Sequence, residues 1–98
     1  MFVHTVYFWL KQGLSADQRV AFRAGLESLK GIGAIEAAYI GVPASTSRPV
    51  IDRSYTYALT VLLDSLESHD AYQVDPIHQA FVENYATYWE RVVIYDAE

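Results

Sequence analysis

YQVDPIHQAF, residues 72–81, decides how the second half of this chain folds. Pro76 has no N–H and its ring clashes with the preceding turn, so a helix arriving through Tyr72 must end there. The proline also pushes Asp75 towards extended geometry. Asp followed by Pro is a helix start: an acceptor at the N-cap, then a residue whose missing donor costs nothing at the first helical position. Two helices meeting at a bent joint are predicted, with Tyr72 near the end of one and His78 in the first turn of the next. Such a joint can aim a phenol and an imidazole into one space.

The flanks of this joint carry their own periodicities. Upstream, Asp64 and Glu67 form a capping-box pattern that opens a helix running to about Val74. Before it, YTYALTVLL (55–63) alternates, with Tyr55, Tyr57, Leu59, Val61 and Leu63 against Thr56, Ala58, Thr60 and Leu62, and reads as a strand. Downstream, Phe81, Tyr85 and Tyr88 or Trp89 recur at helical spacing, which places them in a core or interface. RVVIY (91–95) reads as the last strand, and Asp96–Glu98 are expected to fray.

The first half opens with VHTVYFWL (3–10), whose β-branched and aromatic residues suit a strand. Alternation puts His4, Val6, Phe8 and Leu10 on one face and Val3, Thr5, Tyr7 and Trp9 on the other. Both faces are largely apolar, whereas a strand wetted on one side shows a polar face there. Helices are expected to cover one side and a second subunit the other. Ser15 and Gln18 form a capping box that starts a helix at Ala16, with Phe22, Leu26 and Leu29 on its buried face. Arg23, Glu27 and Lys30 read as solvated surface, and Gly31 and Gly33 as the stop. IEAAYIGV (35–42) reads as a second strand, with Gly41 as a bulge or a point of close approach. PASTSRPVIDR (43–53) exceeds an ordinary hairpin loop. It is a pocket rim, an arm contacting a second subunit, or a surface insertion.

The order is thus β, α, β, β, broken α, β. This is an α+β, ferredoxin-like βαββαβ arrangement: a four-stranded antiparallel sheet with helices on one face. No repeat, low-complexity tract or linker divides residues 1–98, which read as one domain.

Composition bounds the partners. A chain of 98 residues buries only about 60–65% of its unfolded surface. Yet 52% of its residues are hydrophobic and 19% charged, against roughly 25% charged in a typical globular chain. With 8 tyrosines and 2 tryptophans, the surplus apolar surface predicts a homodimer through the open sheet face. A net charge of −5 with scattered Lys and Arg argues against nucleic acid and against an anionic membrane surface. The absence of cysteine excludes disulfides, thiolate metal sites and a cysteine nucleophile. The start, FVHTVYFWL, lacks the basic region and cleavage site of a signal peptide. No apolar run approaches the ~18–20 residues of a membrane span, so a cytoplasmic protein is expected.

Taken together, His4 in the first strand, Gly41 closing the second, Tyr55–Thr56–Tyr57 opening the third, and Tyr72, Pro76, His78 and Phe81 with their spacing resemble the stress-responsive A/B barrel (Dabb) family. The likeness covers nearly the whole chain. It implies a dimeric α+β barrel with a pocket between sheet and helices. Within that family the chain resembles the olivetolic acid cyclase type of plant polyketide cyclase, which implies a tyrosine and a histidine at Tyr72 and His78 acting together. Two positions depart from that type: histidines of its third strand and of its joint are Tyr57 and Asp75 here.

The residues themselves support a matching chemistry. His78 is the candidate general base, since histidine titrates near neutral pH. The positive end of the helix dipole favours its neutral form, while Asp75 pulls the other way. Tyr72 is the candidate donor to a substrate carbonyl, holding the enolate that forms when the neighbouring carbon loses a proton. His4, Val6, Phe8, Tyr57 and Leu59 are expected to line the pocket, of roughly 300 Å³ or more. Such a cofactor-independent, cyclase-like lyase needs no metal and no redox cofactor. A metal site from His4, His78 and Asp75 has no local ligand spacing behind it. His4 equally suits a core histidine satisfied by one hydrogen bond, and His69, in a polar stretch, is expected to be exposed. Three readings stay open: an enzyme acting on a small apolar carbonyl compound, a non-catalytic binder of such a ligand, and a structural dimer whose joint merely orders the fold.

Overall fold

The computed structural model describes all of residues 1–98. The elements are β1 (Phe2–Leu10), α1 (Ala16–Ser28), β2 (Ala37–Gly41), β3 (Tyr57–Leu63), α2 (Leu66–Val74), α3 (Pro76–Tyr85) and β4 (Trp89–Ala97). Short 3-10 turns, Leu29–Gly31 and Ala86–Tyr88, follow α1 and α3. The sheet order is β2-β3-β1-β4 with every neighbouring pair antiparallel. This is the ferredoxin-like α+β arrangement that the sequence predicts.

Local chemistry accounts for the helix boundaries. At α1 the Ser15 hydroxyl accepts from the Gln18 N–H at 3.1 Å, and the Gln18 side chain accepts from the Ser15 N–H at 2.8 Å. Both orphan donors are satisfied reciprocally. At the joint, the Asp75 carboxylate accepts from the Ile77 N–H at 2.8 Å, with Pro76 opening α3. The start of α2 differs from expectation. Ser65, not Asp64, is the N-cap, and its hydroxyl accepts from the Ser68 N–H. Asp64 instead accepts from the Ser65 and Ser68 hydroxyls, so its carboxylate stays outside the helix.

The helices cover one face of the sheet, giving a molecule only 17 Å thick along its shortest axis. From β1 the covered face receives Phe2, His4, Val6, Phe8 and Leu10, all buried, and β3 adds Leu59, Val61 and Leu63. Phe22 of α1 is fully buried at the centre. Its ring lies 5.3–6.4 Å, centroid to centroid, from those of Phe8, Tyr57, Phe81, Tyr85, Tyr88 and Trp89. Losing that ring would cost about 3–5 kcal/mol, from both transfer and the void left behind.

The opposite face carries no helix. Segment 42–56 forms no strand, and its end folds back over this face. The Trp9 Nε1–H donates to the Ser54 hydroxyl at 3.0 Å, and the Tyr7 and Tyr55 rings meet edge to face at 4.9 Å. Arg91 stacks its guanidinium 4.2 Å over the Trp9 ring. Tyr39 and Tyr95 remain largely exposed there.

Three further expectations change. The tail does not fray at Asp96, because β4 runs to Ala97 and pairs with β1 down to Val3. No bulge or close approach occurs at Gly41, where a Cβ would meet nothing within 4 Å. The end of α1 uses no left-handed glycine. It tightens into the 3-10 turn that buries Leu29.

Candidate functional site

The covered face of the sheet is wider than the helix layer on it. Ile94 and Val92 of β4 point to the helix side, opposite Val6 and Phe8 in register, yet both remain exposed. Between this bare edge and the joint lies a cavity of about 220 Å³. Val6, Phe8, Leu59, Phe81 and Trp89 form its apolar walls, and His4, Tyr72, Gln73 and His78 supply the polar groups. It opens past Val82 and Ile94, which are 40% and 50% exposed.

The joint aims its two side chains as the sequence predicts. The Tyr72 and His78 rings meet edge to face with centroids 4.9 Å apart, and Tyr72 also lies 5.6 Å from the His4 ring. Tyr72 is 1% exposed, and burial alone pushes its phenol well above the ordinary range. It stays protonated, a donor at every physiological pH. No buried side-chain nitrogen or oxygen lacks a partner, so the unpaired phenol oxygen reaches cavity space. His78 is half-buried, which lowers its pKa. The nearby imidazole of His4 adds to that shift, Asp75 opposes it, and His69 adds a little more. At neutral pH it is therefore an uncharged acceptor.

His4 enters from the centre of the sheet and is 2% exposed. Its Nδ1–H donates to Oδ1 of Asp96 at 2.5 Å, across the β1–β4 pair. A carboxylate can only accept, so the proton is on Nδ1. Burial lowers the His4 pKa, against the hydrogen bond and charge of Asp96, which raise it.

Of the residues expected in the pocket, His4, Val6, Phe8, Leu59, Tyr72 and His78 share this cavity. Tyr57 does not reach it. It lies on the same sheet face but stacks on Phe22, with Arg23 over its ring at 5.8 Å. Two polar residues of this region were missed. Asp96 was expected to fray, and His69 to be exposed. The His69 side chain is only 15% exposed, with its ring 4.6 Å from Phe2 and 5.2 Å from His4. A signal existed for His69, because positions 69 and 72 lie one helical turn apart on one face.

No curated protein matches this chain. Among solved structures it is similar to a Dabb family protein with a ferredoxin-like fold from Mesorhizobium loti. That pair shares 21% identity at a TM-score of 0.80, over 99% of this chain and 94% of the other. A dimeric ferredoxin-like protein of unknown function from Thermobifida fusca is similar at 21% identity and TM-score 0.79, over 98% and 88% of the two chains. A hydroxynitrile lyase from Passiflora edulis is similar at 20% identity and TM-score 0.80, over 98% and 90%. Likeness at this level of identity speaks for the fold alone. The apolar strand pattern, the capped joint and the one-sided helix layer fit a more specific result: the sequence model of the stress responsive A/B barrel domain matches residues 2–98. The chain belongs to that family, Dabb.

Proposed function

We propose that the cavity takes a small, mostly apolar carbonyl compound and that His78 and Tyr72 act on it without a redox cofactor. One observation carries this reading: an uncharged imidazole acceptor and a permanently protonated phenol stand edge to face on a single apolar cavity. Neutral His78 would remove a proton from the carbon beside the carbonyl. The Tyr72 O–H would hold the oxygen as negative charge gathers there. In a cyclisation the enolate carbon then attacks a second carbonyl of the same molecule, and the proton held by His78 passes to that oxygen as it becomes a hydroxyl. A lyase runs in reverse, His78 taking the hydroxyl proton as the carbon–carbon bond breaks. The similarity to a hydroxynitrile lyase supports the lyase direction, since splitting a hydroxynitrile into a carbonyl and cyanide likewise starts with a base taking a hydroxyl proton. The space of about 220 Å³ falls below the ~300 Å³ at which drug-sized sites begin. It suits a ligand with one ring or a short chain.

A second copy of the chain would cover the open sheet face, where Tyr7, Trp9, Val93 and Tyr95 gather. The similarity to proteins described as dimeric supports this.

The test is deuterium incorporation from heavy water into a panel of small ketones and 1,3-dicarbonyl compounds, followed by NMR. Catalysed exchange that disappears in His78→Ala and in Tyr72→Phe, with both variants folded by circular dichroism, supports the enzyme. Thermal stabilisation by the same compounds without exchange would instead favour a binder. Undiminished exchange in both variants sinks the proposal.

A further inference from the structure

His4, His69 and Asp96 bring two imidazole nitrogens and a carboxylate oxygen within 4.8 Å of one another. They come from β1, α2 and β4, three elements fixed by the core, and the cluster lies outside the His78–Tyr72 pair. The register places Asp96 opposite His4 on the helix side of the sheet. The Phe2 ring packs against that of His69, tilted by 31° with centroids 4.6 Å apart.

The hydrogen bonds orient the donors. Asp70 Oδ1 lies 3.1 Å from Nδ1 of His69. A carboxylate accepts, so Nδ1 carries a proton and Nε2 is the nitrogen whose lone pair can serve a metal. That lone pair stands 3.8 Å from Oδ2 of Asp96, too far for a hydrogen bond. An electron pair facing a carboxylate oxygen is repulsive until a proton or a metal ion comes between them. A carboxylate on the far nitrogen of a histidine is also the usual support of a metal-binding imidazole. On the other side of the cluster, the proton between His4 Nδ1 and Asp96 Oδ1 occupies the place of a second metal bond.

We propose that His4, His69 and Asp96 form a binding site for one divalent transition-metal ion of the zinc class. Two imidazoles and one carboxylate are the donors such ions select, while magnesium and calcium prefer oxygen alone. Bonds of about 2.0–2.2 Å in a tetrahedron set donors roughly 3.3 Å apart. The half-exposed Asp96 side chain must therefore move away from His4, now at 2.5 Å, and towards His69, now at 3.8 Å, as a small rotation allows. On binding, the Nδ1 proton of His4 gives way to the metal, and the ring takes up a proton on Nε2. His4 lines the cavity, so the ion would turn its free nitrogen from acceptor to donor there. The fourth metal position remains for water.

The test uses the full chain stripped of metal by chelator and titrated with Co²⁺, whose visible bands report coordination where zinc is silent. Zn²⁺ competition and thermal unfolding accompany it. The wild type is expected to bind one ion per chain and to melt higher with Zn²⁺. Asp96→Asn and His69→Gln, at positions with access to solvent, should each weaken binding by at least about tenfold. His78→Ala should bind as the wild type does. Absence of saturable binding at millimolar Co²⁺ overturns the proposal. So does unchanged affinity in the two cluster variants, or equal loss in His78→Ala.

Discussion

A Cβ atom placed on Gly25 of α1 would stand 2.5 Å from Cε2 of Tyr85 at the end of α3. The absence of a side chain at this position is what lets the two helices close over the sheet. Tyr85 cannot swing aside cheaply, since Phe22, Phe81 and Tyr88 hold its ring at 5.2–5.9 Å. In an open helix, Gly→Ala would gain about 1 kcal/mol. Here the overlap is expected to outweigh that gain, so Gly25→Ala should destabilise by about 1–2 kcal/mol net. Combining it with Tyr85→Ala should recover the helix-propensity gain. Denaturant unfolding of the four-member cycle measures the coupling, and additive effects would refute the close packing.

Asp75 has two roles that one pair of substitutions separates. Its carboxylate caps α3, and its charge raises the His78 pKa against burial. Asp75→Ala should cost about 0.5–2 kcal/mol through loss of the cap, whereas Asp75→Asn should keep most of it. Both should lower the His78 titration point further, as followed by NMR of the imidazole. A His78 titration that does not move would mean that the charge is not felt.

Stability should depend on pH through His78. Its pKa is lowered in the folded chain, so between that value and the ordinary ~6.5 the unfolded chain binds more protons. The stabilisation is complete above about 6.5 and is lost as pH falls through the lowered value. Buried His4 acts in the same direction. The unfolding midpoint should therefore fall between about pH 7.5 and about pH 5, and less steeply in His78→Gln. An identical slope in the variant would assign the effect to other groups.

The open face predicts its own variant. Thr5 lies at the middle of β1 on that face, between Thr60 of β3 and Tyr95 of β4. In a symmetric dimer, Thr5→Arg would bring like charges together and bury them without partners. Light scattering after gel filtration should show a shift towards the mass of one chain, with the cavity and the covered face intact. A dimer that survives this change would mean that the two copies meet elsewhere.

Much of the architecture was readable from local pattern. Ser15 with Gln18, and Asp75 with Pro76, satisfy helix ends within two or three residues, so their chemistry is visible in the sequence. Alternation along β1 likewise predicted which residues face the helices. The His4–Asp96 pair was not readable, because its partners lie 92 positions apart and meet only through the β1–β4 register. Tyr57 failed for a related reason. Alternation selects a face of the sheet but not the place along it, and Phe22 had already occupied that place. At α2, Asp64 and Ser65 are both competent caps, and the neighbouring Ser68 decided between them.

The central position of β1 has a consequence for which changes this chain can tolerate. Its even-numbered residues face the helices, His4, Val6 and Phe8 forming the floor of the cavity, and its odd-numbered ones form the outer face, with one thickness of backbone between them. Inserting or deleting a single residue in β1 would exchange the two sets at once, sending the imidazole of His4 outward and a neighbour such as Thr5 into the cavity. Residues 43–53, ahead of the Ser54 and Thr56 hydrogen bonds to β1, can vary in length without moving any residue of the covered face. Variation among relatives should therefore come as substitutions in the first strand and as length changes in that segment.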